Sequence, residues 1–251
     1  MAEPFEEEPR MSLRYLLQRL STLLLVLFGV SIVAFSIQPL VPGSPARVRL
    51  GVQATEENVR ILEEQMGLNR PLLVQYADWV SGIVLRGDFG DSLITRTSIT
   101  DEIVRRLPAT LALAGVALLI GLLIALPLGI TSALKPGGKR DLSASVVSQI
   151  GVSIPDFWMG ILLILLFAET LGWLPSSGYE PISEGFFAWG RHVLLPALTA
   201  GLISGSIMTR FVRSALLEVL GMDYVRTARA KGVGPRKVLT KHVLRNAAIS
   251  I

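Results

Sequence analysis

The chain alternates long apolar runs with polar, charged segments. An apolar run of roughly 20 residues predicts a helix that crosses the hydrocarbon core of a membrane, which is about 30 Å thick. Four stretches meet this requirement, at about residues 20–37, 109–134, 142–168 and 193–209. Pro155 and Asp156 interrupt the third stretch near its middle. The pattern predicts an all-α fold, a polytopic transmembrane helical bundle with four complete spans.

Both ends of the sequence carry further signals. A new apolar run starts at about Ala247, so we expect a fifth span to begin there and the chain to be a fragment of a longer bundle. The first apolar run is too long for a secretory signal and no small-residue cleavage site follows it, so it is expected to stay attached. Met11 opens a stretch typical of a natural amino terminus.

Basic residues predict the orientation, because lysines and arginines in short loops stay on the cytoplasmic side of a membrane. They precede the first span, lie between the second and third, and recur after the fourth, from Arg210 to Arg245. The amino terminus and a loop at residues 210–246 are therefore predicted to be cytoplasmic. Residues 39–106 then form an extracytoplasmic insert.

Two helices are predicted inside this insert. Thr55 can cap the first, whose apolar residues have helical spacing and which Gly67 can end. The second should start at Pro71 and reach a turn at residues 87–90. The insert has two open interpretations, a small cap packed on the spans and a docking surface for an external partner.

Composition agrees with a membrane protein and excludes several functional classes. Apolar residues make up 51% of the chain and charged residues 18%, and the mean hydropathy is +0.53, which makes an ordinary soluble domain improbable. The lack of cysteine excludes disulfides, thiolate metal sites and a cysteine nucleophile. The net charge of +4 follows from the cytoplasmic loops and predicts no nucleic-acid partner.

Catalytic chemistry has little support in the residues. The predicted topology puts His192 and His242 on opposite sides of the membrane, so they cannot share a metal ion or act together, and both are expected to be interfacial. Residues 137–139 resemble the end of a phosphate-binding loop, but Ala133 and Arg140 occupy positions where that loop needs glycine and serine or threonine. We predict no catalytic residue, no metal and no ATP site in this chain.

Asp156 is the ionisable residue that stands well inside a predicted span. A charge facing lipid is costly, so its carboxylate should face protein or water. It either caps the backbone that Pro155 frees, or lines a pore and contacts a cationic group of a substrate. The candidate pore-lining residues are Pro155, Asp156, Phe157 and Trp158.

Small residues recur every four positions in the fourth span, at Ala197, Gly201 and Gly205. This spacing predicts a face on which two membrane helices approach closely. We interpret it as helix packing.

The predicted cytoplasmic loop holds the segment with the most distinctive composition, residues 223–232. Asp223 can cap a short helix that Gly232 ends, with arginines toward water and alanines that permit close contact. On composition alone, the segment could also be a basic loop held to anionic lipid.

These residues resemble a known family, the transmembrane permease subunits of bacterial ATP-binding-cassette importers, and within it the dipeptide and oligopeptide branch. Five stretches carry the resemblance, at residues 106–111, 153–160, 172–175, 216–232 and 242–247. The broad importer consensus has glutamate and alanine at Arg226 and Thr227, and proline at Arg245. These differences are expected of the peptide branch.

The resemblance implies the fold of a type I importer in the bacterial inner membrane and a helix that seats in a groove of an ATPase subunit. The implied coupling residues are Asp223, Tyr224, Arg226, Thr227, Ala228, Arg229, Ala230, Lys231 and Gly232. Ala228 is expected where the two subunits approach closely.

The implied partners are a second permease subunit, two cytoplasmic ATPase subunits that bind the ATP and magnesium, an external substrate-binding protein, and lipid. Family members have six spans, so the fragment alone is not expected to support uptake. The alternative is an ion-coupled carrier or an intramembrane enzyme, which would need several polar groups meeting at the midplane.

Overall fold

The computed structural model describes residues 13–40 and 42–248, and within these the regular structure is helical apart from one isolated β-bridge. The helices are α1 (Leu13–Ile37), α2 (Pro45–Leu50), α3 (Glu56–Gln65), α4 (Leu72–Ser81), α5 (Ile99–Leu134), α6 (Lys139–Ser153), α7 (Asp156–Ile164), α8 (Phe186–Gly221), α9 (Asp223–Ala230), α10 (Pro235–Lys237) and α11 (Leu244–Ala247). Met11 and the end of the expected fifth span, residues 249–251, lie outside the described residues.

Three helical stretches are long and apolar enough to cross a membrane, Leu13–Leu40, Ile99–Leu134 and Phe186–Gly221. The fourth candidate consists of α6 and α7 with its continuation to Thr170, which are bent by 96° at the break between them. The break falls where it was predicted, because Pro155 has no backbone N–H and disfavours helical geometry in the residue before it. The bundle therefore has three to four spans among the described residues.

Two predicted boundaries differ from the structure. Helix α5 starts at Ile99, so its first turns occupy the end of the predicted insert. Helix α8 continues to Gly221, so residues 210–221 are helical and do not form a loop. The reason is an apolar stripe at helical spacing that lies buried along this extension, made of Val212, Ala215, Leu216 and Val219.

The chain divides into two compact units, residues 1–105 and 106–251. In the N-terminal unit both predicted insert helices are confirmed. Thr55 accepts a hydrogen bond from the Asn58 amide at 3.2 Å at the start of α3, and Pro71 precedes α4. The short helix α2 was not predicted, because six residues are too few to display a helical period.

Helix α4 packs on α1 through aromatic side chains. The Tyr76 ring lies 5.5 Å from the Phe35 ring between centroids, and its hydroxyl is 2.7 Å from the Ser31 hydroxyl. The insert thus covers part of a span in its own unit, as the cap interpretation expects. A cavity of about 920 Å³ lined in part by Trp79 and Arg86 lies in the same unit, so the docking interpretation stays open.

In the C-terminal unit, α5 and α8 approach until their backbones touch. Ala197, Gly201 and Gly205 are all buried at this contact. A Cβ atom at Gly201 would lie 2.9 Å from the carbonyl oxygen of Ala117, and one at Gly205 would lie 3.0 Å from that of Gly121. On α5 the facing residues also repeat every four positions, at Ala117, Gly121, Ala125, Gly129 and Ala133.

Asp141, in the first turn of α6, joins three parts of the C-terminal unit. Its two carboxylate oxygens accept hydrogen bonds from Arg213 of α8, from Nε at 2.7 Å and from the terminal nitrogen at 2.9 Å. The Ser132 hydroxyl of α5 and the Gly137 amide donate to the same carboxylate. A forked, charge-assisted contact of this kind fixes both position and orientation. We call these four residues the Asp141 network.

The α5–α8 contact predicts that Gly201→Ala destabilises the protein by about 1–3 kcal/mol, because the added methyl group overlaps backbone atoms that cannot move aside. Gly115→Ala is the matched control, since no atom lies within 4 Å of a Cβ there. The control should be neutral or slightly stabilising, by about 1 kcal/mol at most. Thermal unfolding of both purified variants in detergent measures the difference, and equal melting temperatures would contradict this packing.

The Asp141 network predicts a drop of several degrees in melting temperature for Asp141→Asn, because the Arg213 guanidinium then loses its charged acceptor. Adding Arg213→Gln to that variant should cost little more, as expected of two residues that act through one contact. The exposed ion pair of Asp223 and Arg226, 3.6 Å apart, supplies the control Arg226→Gln, which should not change the melting temperature. Additive losses in the double variant would show that the two side chains act independently.

Candidate functional site

Helix α9 and the residues after it form a compact structure at one end of the C-terminal unit. Its base is an apolar cluster of fully buried side chains that includes Val225, Val238 and Val243. The same cluster contains Leu216 and Val219 of α8 and Ala125 and Ala133 of α5. We call it the seat, because it fixes α9 to the ends of two long helices.

The start of α9 differs from the prediction. Met222 is the N-cap residue, with extended backbone angles, and Asp223 is the first residue of the helix, so the predicted capping by Asp223 is wrong. Since α8 ends at Gly221, Met222 is the single residue between the two helices and takes the extended conformation itself. The Asp223 carboxylate lies in the first turn, where a negative charge favours the helix dipole.

The end of α9 matches the prediction that Gly232 stops the helix. Gly232 has a φ of +77°, and its amide donates to the Arg229 carbonyl at 3.0 Å. The next amide, of Val233, donates to the Ala228 carbonyl at 3.1 Å. These two bonds form a Schellman motif, in which glycine adopts the left-handed conformation without steric cost.

The two faces of α9 differ sharply in exposure. Val225 is fully buried and Ala228 is half-buried, and both belong to the seat or pack against it. The opposite face is exposed and follows the i, i+3, i+4, i+7 spacing of one side of a helix, at Asp223, Arg226, Thr227 and Ala230. We call these four residues the outer face.

This geometry places Ala228 against the protein's own seat, while its expected role in coupling stays a prediction. Its side chain contacts the protein's own seat, so a larger residue there would disturb the seat before it met another subunit. The small residue of the outer face is Ala230, which is exposed. Arg229 and Lys231 are exposed beside it.

Tyr224 ties α9 to the segment that follows. Its hydroxyl accepts a hydrogen bond from the Asn246 side-chain amide at 2.7 Å and lies 3.5 Å from the His242 carbonyl oxygen, to which it can donate. No local pattern indicates this contact, because 22 residues separate Tyr224 from Asn246. Tyr224 therefore positions the helix.

A second feature lies at the break between α6 and α7. A cavity of about 460 Å³ opens beside the first turn of α7 and is lined by Asp156, Phe157 and His192, among others. Of the four candidate pore-lining residues, Asp156 and Phe157 line this cavity, whereas Pro155 and Trp158 do not. We call it the break cavity.

The capping interpretation of Asp156 is wrong. Pro155 is the N-cap residue of α7, and no side-chain hydrogen bond caps the helix. The proline sets the extended geometry itself, so the carboxylate of Asp156 is not needed there. His192, expected to be merely interfacial, lines the same cavity from α8.

Neither metal-binding nor phosphate-binding geometry occurs in the described part of the chain. No three histidine or acidic side chains within residues 13–40 and 42–248 are grouped as a metal site. In the glycine pair that resembles a phosphate loop, the Gly137 amide donates to the Asp141 carboxylate at 2.8 Å. The turn thus binds an anion that the chain supplies itself.

Two families of known membrane proteins match most of the chain. Residues 125–251 match the family described as the binding-protein-dependent transport system inner membrane component. Residues 12–114 match the companion family that describes the N-terminal part of such membrane components. The first match includes the seat, α9 and the break cavity.

Individual relatives agree. The chain is 37% identical over 240 residues to the oligopeptide transport system permease protein AppB of Bacillus subtilis, covering 94% of this chain and 76% of the relative. It is 38% identical over 259 residues to the dipeptide transport system permease protein DppB of Alkalihalophilus pseudofirmus, covering 95% and 78%.

The di/tripeptide permease DppB of Pseudomonas aeruginosa is also 38% identical, over 260 residues that cover 95% of this chain and 77% of the relative. Identity at this level over nearly the whole chain, together with the apolar helices, makes this a multi-pass inner-membrane permease subunit. The chain belongs to the family of inner membrane components of binding-protein-dependent transport systems.

Proposed function

We propose that this permease subunit forms the translocation path for peptides or a related small solute and drives it through α9, which docks in a groove of a separate ATPase subunit. The relatives are named as peptide permeases, which supports the substrate class. The observation that carries the coupling role is the exposed outer face of a short helix whose other face is locked into the seat.

The complete importer would contain a second permease subunit, two ATPase subunits and an external binding protein. ATP and magnesium bind to the ATPases in this proposal, and the permease contributes no catalytic residue. Its own task is mechanical, because the seat joins α9 to α5 and α8.

Movement of α9 would pass directly into the bundle. The seat holds α9 against the ends of α5 and α8, and the Asp141 network ties α6 to α8 close to the same end. When the ATPases close on ATP, these helices would move as one body and shift the path between outward and inward access. Packed helices transmit such a shift because their contacts are rigid.

The ATPases fix the orientation in this proposal. They are cytoplasmic, so α9 and the amino terminus lie on the cytoplasmic side and the insert lies outside. The basic residues beside α9 support this orientation, since short-loop lysines and arginines resist translocation.

The competing role for α9 is a basic helix held to anionic lipid. Attachment to lipid depends on the charge of the helix, whereas docking in a protein groove depends on its shape. The outer face offers a test of each, because it contains both Ala230 and Arg226.

We expect Ala230→Trp to abolish transport and substrate-stimulated ATP hydrolysis in the reconstituted importer, because the indole ring would occupy the space that the ATPase groove requires. The variant should reach the membrane in normal amount, since Ala230 is exposed and lies opposite the seat. Measuring ATPase activity with and without substrate-loaded binding protein gives the result.

The matched set is Arg226→Gln combined with Arg229→Gln and Lys231→Gln. If α9 is held to lipid, removing these three charges should impair the importer strongly, because each contributes about 1 kcal/mol of attraction to the membrane. Ala230→Trp should then have almost no effect. Normal substrate stimulation in Ala230→Trp would exclude docking through the outer face.

The proposed orientation predicts cysteine labelling in intact cells, and the natural lack of cysteine removes any background. An impermeant maleimide should label Glu180→Cys from outside and leave Thr227→Cys unlabelled until the cells are opened. Thr227 is exposed and Glu180 is half-buried, so both can be reached from their own side of the membrane and the side that the reagent reaches decides the labelling. The opposite pattern would reverse the topology.

A further inference from the structure

The break cavity contains a charged group that has no counter-ion among the described residues. Asp156 lines the cavity, its side chain is exposed, and within residues 13–40 and 42–248 no hydrogen bond or ion pair reaches its carboxylate. The bend of 96° between the two halves of this candidate span leaves non-helical backbone there. At membrane depth such backbone is tolerated only where it is buried in protein or lines a water-filled space.

The charge of Asp156 also indicates that the break cavity is not filled by lipid. A carboxylate exposed to hydrocarbon is costly, so Asp156 must face water, a cation or another protein chain. Its place in the first turn of α7 helps only slightly through the helix dipole. A cation that enters the cavity would supply the missing counter-ion of Asp156.

His192 adds a second acceptor to the same cavity. Its Nδ1 lies 2.9 Å from the carbonyl oxygen of Ala188. A carbonyl oxygen can only accept, so Nδ1 carries the proton and Nε2 of the neutral ring is left with a free lone pair. The Nε2 edge faces Gly178, where a Cβ would lie 3.6 Å away, and Gly178 is itself part of the cavity wall.

The rest of the lining suits a small amphipathic molecule. Phe157, Ile164 and Leu195 provide apolar surface, and Ser176 and Ser177 lie at the loop side. The volume of about 460 Å³ falls in the range of small-molecule sites, about 300–1,000 Å³. An ammonium group has three N–H donors and no acceptor, which matches a cavity lined by both a carboxylate and an imidazole lone pair.

We infer that the break cavity is a station on the path that binds the protonated amino terminus of the substrate, with Asp156 as its counter-ion and His192 Nε2 as a second acceptor. This inference rests on the proposed function and names the group that the path recognises. The apolar wall would contact the first side chain of the peptide. Recognition of a feature that all free peptides share leaves the identity of the side chains open, as a general conduit requires.

The test uses the complete importer reconstituted in vesicles with its ATPases and binding protein, and alanyl-alanine as the transported probe. Asp156→Asn should lower transport about tenfold or more, the loss expected for one charge-assisted contact. Asp156→Glu keeps the charge and should retain most of the activity.

Thr170→Val is the matched control, because Thr170 does not line the break cavity and its hydroxyl already donates to the Leu165 carbonyl at 2.7 Å. It should transport like the wild type. Stimulation of ATP hydrolysis by the loaded binding protein should persist in Asp156→Asn, since the seat and α9 are unchanged. Wild-type transport by Asp156→Asn would overturn the inference, while loss of stimulation in Ala230→Trp would still support the proposed function.

A second measurement avoids the binding protein and any loss of protein in the membrane. Ser177→Cys places a label at the cavity wall, in a chain without natural cysteine. Millimolar alanyl-alanine should slow maleimide labelling of this cysteine in the complex of permease and ATPases, and N-acetyl-alanyl-alanine should not. Equal protection by the two peptides would overturn the inference. Loss of complex assembly in Asp156→Asn would also overturn it, because the counter-ion of Asp156 would then belong to the second permease subunit.

Discussion

The contact between α5 and α8 is the constraint on which the C-terminal unit depends. Two membrane helices can bring their backbones together only where neither carries side chains, and in lipid this close packing replaces the hydrophobic force that drives folding in water. The chain meets the condition with alanine or glycine at every fourth position on both helices. A single methyl group at Gly201 would overlap Ile120 and the Ala117 carbonyl, so α8 can lie this close to α5 only without a side chain at that position.

The seat, the Asp141 network and the break cavity all include residues of α8, the helix that this contact positions. The seat continues the same two helices beyond their apolar parts, from Ala125 and Ala133 to Leu216 and Val219. The Asp141 network then sets α6 against α8, and α6 leads into the break that exposes Asp156. Helix α9 and the break cavity are thus connected through packed elements, with no flexible segment required between them.

The sequence predicted those features that depend on local chemistry. Proline lacks a backbone N–H and disfavours helical geometry in the residue before it, so the interruption at Pro155 could be predicted. Thr55 and Gly232 likewise act on backbone groups close to them in the sequence. Small-residue spacing also identified one side of the α5–α8 contact, because its period is a property of a single helix. The matching residues on α5 have the same period and could have been found by the same search.

Other features required the folded chain. Asp141 stands among lysines and arginines in the sequence, and its partner Arg213 is 72 residues away, so no local pattern distinguishes it from a solvated loop residue. The inward position of Ala228 depends on where the seat lies, and the composition of α9 alone could not assign its faces. Hydropathy predicts only the apolar part of α8, at about residues 193–209, and the continuation of the helix to Gly221 depends on burial against the rest of the unit.

The uninterrupted course of α8 has a mechanical consequence. The helix carries His192 and Thr199 near one end and leads through Met222 alone into α9 at the other, and its proline, Pro196, lies between the two cavity residues. The 26 residue steps from Pro196 to Met222 span about 39 Å at 1.5 Å per residue. A tilt of about 10° at the proline, where helices bend most readily, would sweep Met222 through about 7 Å, more than one helical turn. In the opposite direction the same lever converts a large movement of α9 into a fine adjustment of the wall that faces Asp156.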